Sequence, residues 1–201
     1  IPKEWWIVQE ENDALNVRNS TWLCSLSKTN DSLLMWSHYC YNHKGVCIGL
    51  DIDRVIKSVP PMFGTTYVEP LVLDVQYKDI IERPNGYQYS KDIFSYQWRT
   101  KAKEWEYEQE VRVVIPNPSG LYASLTPQQT NQDKEFWDGR EIRHYMPLKA
   151  ECFESIYFGV NIEQEEKEKI VRYVRKKLNP QINLYQMEID DNAFRLRPIK
   201  I

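Results

Sequence analysis

The sequence predicts an α+β fold, a mostly antiparallel mixed sheet flanked by helices, in a single domain of residues 1–201. Strand-like segments cluster towards both ends of the chain with helical segments between them, and no regular βαβ alternation appears. Hydrophobic residues make up 42% of the chain and aromatic residues 13%, which is typical of a globular domain with a sizeable core. No internal repeat and no linker divides the chain.

The first elements are predicted from their periodicity. A charged and aromatic stretch predicts a helix at 3–17, and the alternation in "TWLCSLS" predicts a strand at 21–27. Asn30 or Asp31 can cap a helix that runs to about Tyr41, because a short polar side chain accepts hydrogen bonds from the free N–H groups of the first turn.

The later elements follow the same patterns. The helix at 163–178 is the clearest, since its acidic start and basic end both complement the helix dipole. Two more helical segments are predicted at 53–59, where two prolines follow, and at 90–105. A polar, proline-containing stretch predicts a loop at 117–138. Apolar runs predict strands at 44–52, 71–77, 108–115, 140–148 and 154–160, and a closing hairpin at 182–189 and 194–201.

Composition narrows the classes of function. The 26 basic and 29 acidic residues give a net charge of −3, so the basic excess that draws a protein to nucleic acid is missing. Four cysteines are too few for a disulfide scaffold, and no apolar run approaches a membrane span, so we expect a cytoplasmic protein that does not bind membranes. Because the chain starts at Ile1 without a methionine, we also expect a preceding segment.

The segment "EWEYEQEVRVVIP" carries the first candidate site. On a strand, Glu108, Glu110 and Arg112 share one face, since side chains alternate with a period of two. One interpretation is a solvated face on which Arg112 neutralises the two acids. The other is a carboxylate pair on a rigid strand, whose mutual repulsion separates the two pKa values into one acid and one stabilising anion.

The second and third candidates lie earlier in the chain. His38 and His43 are candidate functional residues at the end of a predicted helix, where a packed helix end is the alternative. Cys40 and Cys47 invite a zinc site, but one lies on a helix facing away from His38 and the other inside an apolar strand, so no metal is expected. On the strand at 21–27, two serines share a face and can line a cleft; they are Ser25 and Ser27.

Two segments, "CSLSKTNDSLLMWSHYCYNHKGVCIGLD" and "KAKEWEYEQEVRVV", resemble an uncharacterised, mainly bacterial family, DUF2971. The resemblance spans roughly residues 22–115 and implies no activity by itself. Its motifs are Met-Trp-x-His-Tyr, His-x-Gly and Lys-x-x-x-Trp-x-Tyr-Glu-x-Glu-x-Arg. They match Met35, Trp36, His38, Tyr39, His43, Gly45, Lys101, Trp105, Tyr107, Glu108, Glu110 and Arg112.

A fainter similarity links "EQEVRVVIP" to the Glu-x-Glu strand of ADP-ribosyltransferases, in which a serine-rich strand precedes the acidic one. This similarity implies NAD as a substrate and no metal. It implies that Glu110 stabilises a cationic transition state and that Glu108 orients the acceptor. The Arg or His that anchors NAD in those enzymes has no counterpart in this sequence, and the separation from Ser27 to Glu108 is long.

Three functions follow from these patterns. The first is an ADP-ribosyltransferase-like or nucleotide-processing enzyme, of a bacterial defence or toxin type, with Glu108, Glu110 and His38 as catalytic residues. Its substrate would be held by Ser25, Ser27, Tyr39, His43, Trp105, Tyr107 and Arg112.

The second function is a non-catalytic interaction domain with a buried His, Glu and Arg network. The third is a metal-dependent nuclease-like hydrolase using Asp51, Asp53 and the glutamates. Both enzyme hypotheses need Glu110 to face an open cleft. The interaction domain needs Glu110 buried against Arg112 or exposed on a flat sheet.

Overall fold

The computed structural model describes residues 21–58, 62–63, 66–67, 70–81, 96–116 and 148–201. These residues form an α+β fold with mixed sheets, as the sequence predicts. Within these ranges, no helix is long and apolar enough to cross a membrane.

The strands and helices are numbered in chain order. They are β1 (Thr21–Ser27), α1 (Leu33–Tyr39), β2 (Val46–Leu50), α2 (Ile52–Ser58), β3 (Met62–Phe63), β4 (Thr66–Tyr67), β5 (Leu71–Asp74), β6 (Gln76–Lys78), β7 (Thr100–Ala102), β8 (Glu110–Pro116), β9 (Phe153–Phe158), α3 (Gln164–Tyr173), β10 (Asn183–Ile189) and β11 (Leu196–Lys200). The described elements also include 3-10 helices at Lys103–Glu108 and Ala150–Cys152 and a π-helical turn at Val174–Leu178.

A three-stranded antiparallel sheet in the order β1-β8-β5 holds the serine-bearing and acidic segments side by side. Its central strand, β8, is buried on both faces towards its end. Val113, Val114 and Ile115 all lie in the core, which explains the aliphatic run after the acidic residues.

The second sheet, in the order β11-β10-β9-β2, forms the larger part of the core. The closing hairpin of β10 and β11 is antiparallel as predicted, whereas β9 and β10 pair in parallel. One face of this sheet packs against α3 and the turn that follows it. In this cluster, Phe158 of β9 and Val174 of the turn are both buried. On the other face, Trp36 of α1 packs against Met187 and Leu196.

Helix α1 begins one residue later than the sequence suggested. Its cap is Ser32, whose hydroxyl accepts a hydrogen bond from the N–H of Met35 at 3.3 Å, instead of Asn30 or Asp31. The buried Trp36 fixes the helix, since its indole N–H donates to the carbonyl of Asn30 at 2.7 Å.

Two predicted elements around the acidic segment are wrong in detail. The helix expected at 90–105 does not reach its predicted end, because Thr100–Ala102 is a strand that pairs in parallel with β6. The strand expected at 108–115 begins at Glu110, since Glu108 still belongs to the 3-10 turn and Gln109 has a left-handed backbone with φ of 44°. The helix at 3–17, the loop at 117–138 and most of the strand at 140–148 lie outside the described residues.

Candidate functional site

The acidic strand and the serine-bearing strand are direct neighbours. In the antiparallel register of β1 and β8, Ser25 lies opposite Arg112 and Ser27 opposite Glu110. The hydroxyl of Ser25 hydrogen-bonds to the carboxylate of Glu110. The hydroxyl of Ser27 donates instead to the backbone carbonyl of Glu108 at 2.7 Å. Both serines that the sequence singled out therefore contact the acidic segment.

Glu110 is buried, and both oxygens of its carboxylate are paired. Its Oε1 accepts from Nε of Arg112 at 2.7 Å, and its Oε2 accepts from Nζ of Lys101 at 3.0 Å. Only 3% of the side chain is exposed. Burial by itself raises the pKa of Glu110, but hydrogen bonds from Arg112, Ser25 and Lys101 stabilise the anion and lower the pKa to about 2. The carboxylate is therefore ionised at neutral pH.

Glu108 connects the same cluster to α1. Its Oε1 accepts from the hydroxyl of Tyr39 at 2.7 Å, and its Oε2 accepts from Nζ of Lys101. The hydrogen bond to the carboxylate of Glu108 raises the pKa of Tyr39, because the phenol proton stabilises the neighbouring anion. Although Glu108 is not on the strand, the left-handed Gln109 brings its carboxylate back to the side of Lys101.

Lys101 lies at the centre of the site. It was named from the sequence as part of the family motif but not as a candidate site residue. Its ammonium group contacts Glu108 and Glu110 and lies 5.1 Å from the ring centroid of Trp105. Burial lowers the pKa of Lys101, but the hydrogen bonds to the two glutamates outweigh it and raise the pKa. Tyr77 was also missed; its hydroxyl accepts from the N–H of Glu110 at 2.7 Å.

Two anions and two cations therefore form one compact network. The guanidinium of Arg112 completes it by donating to the backbone carbonyl of Trp98 at 3.0 Å. Because the formal charges cancel and every side chain is at least three-quarters buried, this carboxylate network is internally compensated. Its members are Lys101, Glu108, Glu110 and Arg112.

Above the network lies an aromatic surface made of His38, Tyr39, Trp105 and Tyr107. The ring of Tyr107 lies 6.4 Å from that of His38 and 6.0 Å from that of Trp105, and the rings of His38 and Tyr39 are 6.5 Å apart. Tyr39 is 61% exposed and Trp105 40%. In the described part of the chain, His38 reaches the glutamates only through its aromatic neighbours.

His43 has a different setting. It closes a turn in which Tyr41, Asn42 and His43 all have left-handed backbones, with φ of 47°, 53° and 65°. Each such non-glycine residue is strained by about 1–2 kcal/mol. The N–H of Asn161 holds the turn by donating to the carbonyl of His43 at 2.9 Å. Nδ1 of His43 is buried and has no hydrogen-bond partner among the described residues. Within the ranges that the structure describes, no contact links His43 to the carboxylate network.

One of the acidic residues proposed for a nuclease-like site, Asp51, contacts the start of α2. The carboxylate of Asp51 accepts from the N–H of Arg54 at 3.1 Å and lies 3.0 Å from its guanidinium. Among the described residues, no group of three or more His, Cys, Asp or Glu side chains is arranged to hold a metal ion. Burial raises the pKa of the Cys47 thiol to about 11, so this thiol is not activated as a nucleophile.

Residues 35–113 match the model of a family described as a protein of unknown function (DUF2971). The resemblance seen in the two sequence segments is thereby confirmed for this part of the chain. The matched residues include α1, the carboxylate network and the aromatic surface. No curated protein and no solved structure matches the chain.

Proposed function

We propose that the chain binds an NAD-like nucleotide, with the nicotinamide ring on the aromatic surface and the carboxylate network beneath it. The observation that carries this proposal is the cluster of exposed rings beside two ionic glutamates. Exposed aromatic residues that are contiguous, instead of scattered singly, are typical of binding sites.

The electrostatics favour a planar cation over a phosphate group at this surface. The rings of Tyr39, Trp105 and Tyr107 attract positive charge through their faces. The nearest lysines cannot readily serve a phosphate, because Lys101 is held by two glutamates and Lys103 pairs with Glu106 at 2.7 Å. The oxidised nicotinamide ring is planar and cationic, and it fits both features.

In this proposal the network fixes the site. Arg112 and Ser25 hold the carboxylate of Glu110, while Tyr39 and Lys101 hold that of Glu108. Pre-positioned groups lose little conformational entropy on binding, so a rigid base under the rings favours affinity. Because Glu110 is buried against Arg112, its position supports the non-catalytic interaction domain over a catalytic carboxylate.

A thermal-shift experiment tests the binding. A ligand that binds only the folded state raises the apparent melting temperature. We expect NAD to raise it for the wild type and to lose most of this effect in Trp105→Ala. The matched control is Tyr173→Ala, which removes an aromatic side chain that is 63% exposed on α3. Equal shifts in all three proteins, or none in the wild type, contradict the proposal.

ADP-ribosyl transfer is a second candidate, favoured by the hydrogen bond between Ser25 and Glu110 across β1 and β8. The similarity to ADP-ribosyltransferases implies a serine-bearing strand before the acidic strand, and such a pair would hold Glu110 for a cationic transition state. Glu110 is only 3% exposed and does not face an open cleft, so Lys101 would have to leave it before the carboxylate could act on a substrate. This chemistry, and a bacterial, cytoplasmic role in defence, stay predictions.

The transferase candidate has its own test. NAD consumption by the wild type and its loss by at least about a hundredfold in Glu110→Gln would support it, since one preorganised electrostatic contact changes a rate by that order. Glu104→Gln, an exposed glutamate of the same segment, is the control. NAD binding without consumption favours the non-catalytic domain.

A further inference from the structure

A groove of about 350 Å³ lies on the second sheet, and it shares no residue with the aromatic surface or the carboxylate network. Its floor consists of two neighbouring register pairs on the parallel strands β9 and β10. Ser155 lies beside Asn183, and Tyr157 lies beside Tyr185. The two tyrosine rings stack with centroids 4.9 Å apart and planes inclined by 13°. The volume lies in the range of small-molecule sites.

The groove has polar groups that make no hydrogen bond to other described residues. Ser155 is 7% exposed, and its hydroxyl makes no hydrogen bond within the described part of the chain. The hydroxyl oxygen of Ser155 is not enclosed: it opens onto the groove, where water or a ligand can form a hydrogen bond with it. The side-chain amides of Asn183, which is half-buried, and of Gln181, which is exposed, also open onto the groove. These groups therefore point to a ligand that both donates and accepts hydrogen bonds.

Gly49 on β2 has no side chain and so leaves room next to the hydroxyl of Ser155. A Cβ atom at Gly49 would lie 2.1 Å from the hydroxyl oxygen of Ser155, so any other residue there would push into the floor of the groove. The absence of a side chain at Gly49 thus leaves the hydroxyl of Ser155 in its place.

The charges of the groove favour a neutral ligand over an anionic one. Arg54 lines it, but its guanidinium is occupied by Asp51 at 3.0 Å and by the carbonyl of Glu151 at 2.9 Å. Glu154 also lines the groove and makes no ion pair among the described residues. With one compensated cation and one free carboxylate, the site suits a neutral, hydroxyl-rich ligand better than a phosphate.

We propose that this groove binds a hydroxyl-bearing sugar ring. Amides, hydroxyls and a carboxylate supply both donors and acceptors, which is what vicinal hydroxyl groups require. The stacked pair of Tyr157 and Tyr185 supplies an apolar wall for the C–H groups of the ring. The same chemistry belongs to a free hexose, to an N-acetylated amino sugar and to the ribose of a nucleoside.

An NMR titration of the ¹⁵N-labelled protein distinguishes these sources. Glucose, N-acetylglucosamine and adenosine are added separately up to about 50 mM, well above a millimolar Kd. We expect at least one probe to give saturable shifts at the side-chain amide of Asn183 and the backbone amides of β9 and β10. The probe that saturates first identifies the source. No saturable shift with any probe, or shifts confined to other residues, overturns the proposal.

Variants add a second readout. Ser155→Ala and Asn183→Ala should each weaken binding of that probe by roughly fivefold or more, because each removes a hydrogen bond to the sugar. Asn192→Ala, which truncates an exposed amide in the turn between β10 and β11, should leave binding unchanged. If the wild type binds and both groove variants bind equally well, the site is elsewhere and the proposal fails.

Discussion

Oε1 of Glu110 lies 2.7 Å from Nε of Arg112, two residues further along the same strand. The side chains are only 3% and 13% exposed, so this is a buried ion pair. Lys101 and Glu108 form a second pair that shares the same space. Removing one member therefore leaves a charge uncompensated in a poorly solvated site.

The first prediction concerns the free energy of unfolding. Glu110→Gln keeps the shape of the side chain and removes its charge, which leaves two cations facing one glutamate. We expect destabilisation by roughly 3–5 kcal/mol. Urea unfolding at neutral pH measures it, with Glu104→Gln as the control that should change stability by less than about 0.5 kcal/mol. Equal stability of the two variants would mean that the ion pair is not maintained in solution.

The second prediction is a pH dependence of this difference. The pKa of Glu110 is about 2 in the folded state, below the value of about 4.3 for an unperturbed glutamate. A depressed folded-state pKa gives stability that is complete above the unfolded pKa and is lost as the pH falls towards the folded one. The stability difference between the wild type and Glu110→Gln should therefore be constant from pH 7 to about 5 and shrink between about pH 4.5 and 2. A difference that grows on acidification contradicts this account.

The third prediction tests the link between α1 and Glu108. Tyr39→Phe removes a hydroxyl that donates to the carboxylate of Glu108 at 2.7 Å. A hydrogen bond to a charged group contributes about 1.5–3 kcal/mol, so we expect a loss in that range. Tyr41→Phe is the control, because Tyr41 is 79% exposed and makes no hydrogen bond through its side chain among the described residues. Indistinguishable unfolding of the two variants argues against the contact.

The fourth prediction concerns the left-handed turn after α1. A Cβ atom at Gly159 would lie 2.1 Å from the carbonyl oxygen of His43, and that oxygen belongs to backbone that cannot move aside cheaply. Gly159→Ala should destabilise the protein by about 1–3 kcal/mol or more. Chemical denaturation measures the loss, and an unchanged midpoint would show that the turn can relax.

The sequence predicted the elements whose hydrophobic period is regular, such as β1, α1, α3 and the hairpin of β10 and β11. It failed around 100–109, where short-range preference favours a helix but pairing with β6 and the left-handed Gln109 impose another path. Lys101 was missed for the same reason, since its approach to the glutamates depends on this path. The motif that contains Lys101, Trp105 and Glu108 was the signal from which Lys101 could have been predicted as a site residue.

The central claim is that the nicotinamide ring of NAD binds on the aromatic surface. Isothermal titration calorimetry with NAD and ADP-ribose tests it most directly. ADP-ribose keeps the phosphates and both riboses and lacks the cationic ring, so the difference in affinity isolates the contact with the aromatic surface. We predict that the wild type binds NAD at least about tenfold more tightly than ADP-ribose, a difference of about 1.4 kcal/mol. Trp105→Ala should remove most of this preference. Equal affinity for the two ligands, or no binding of NAD, would contradict the account.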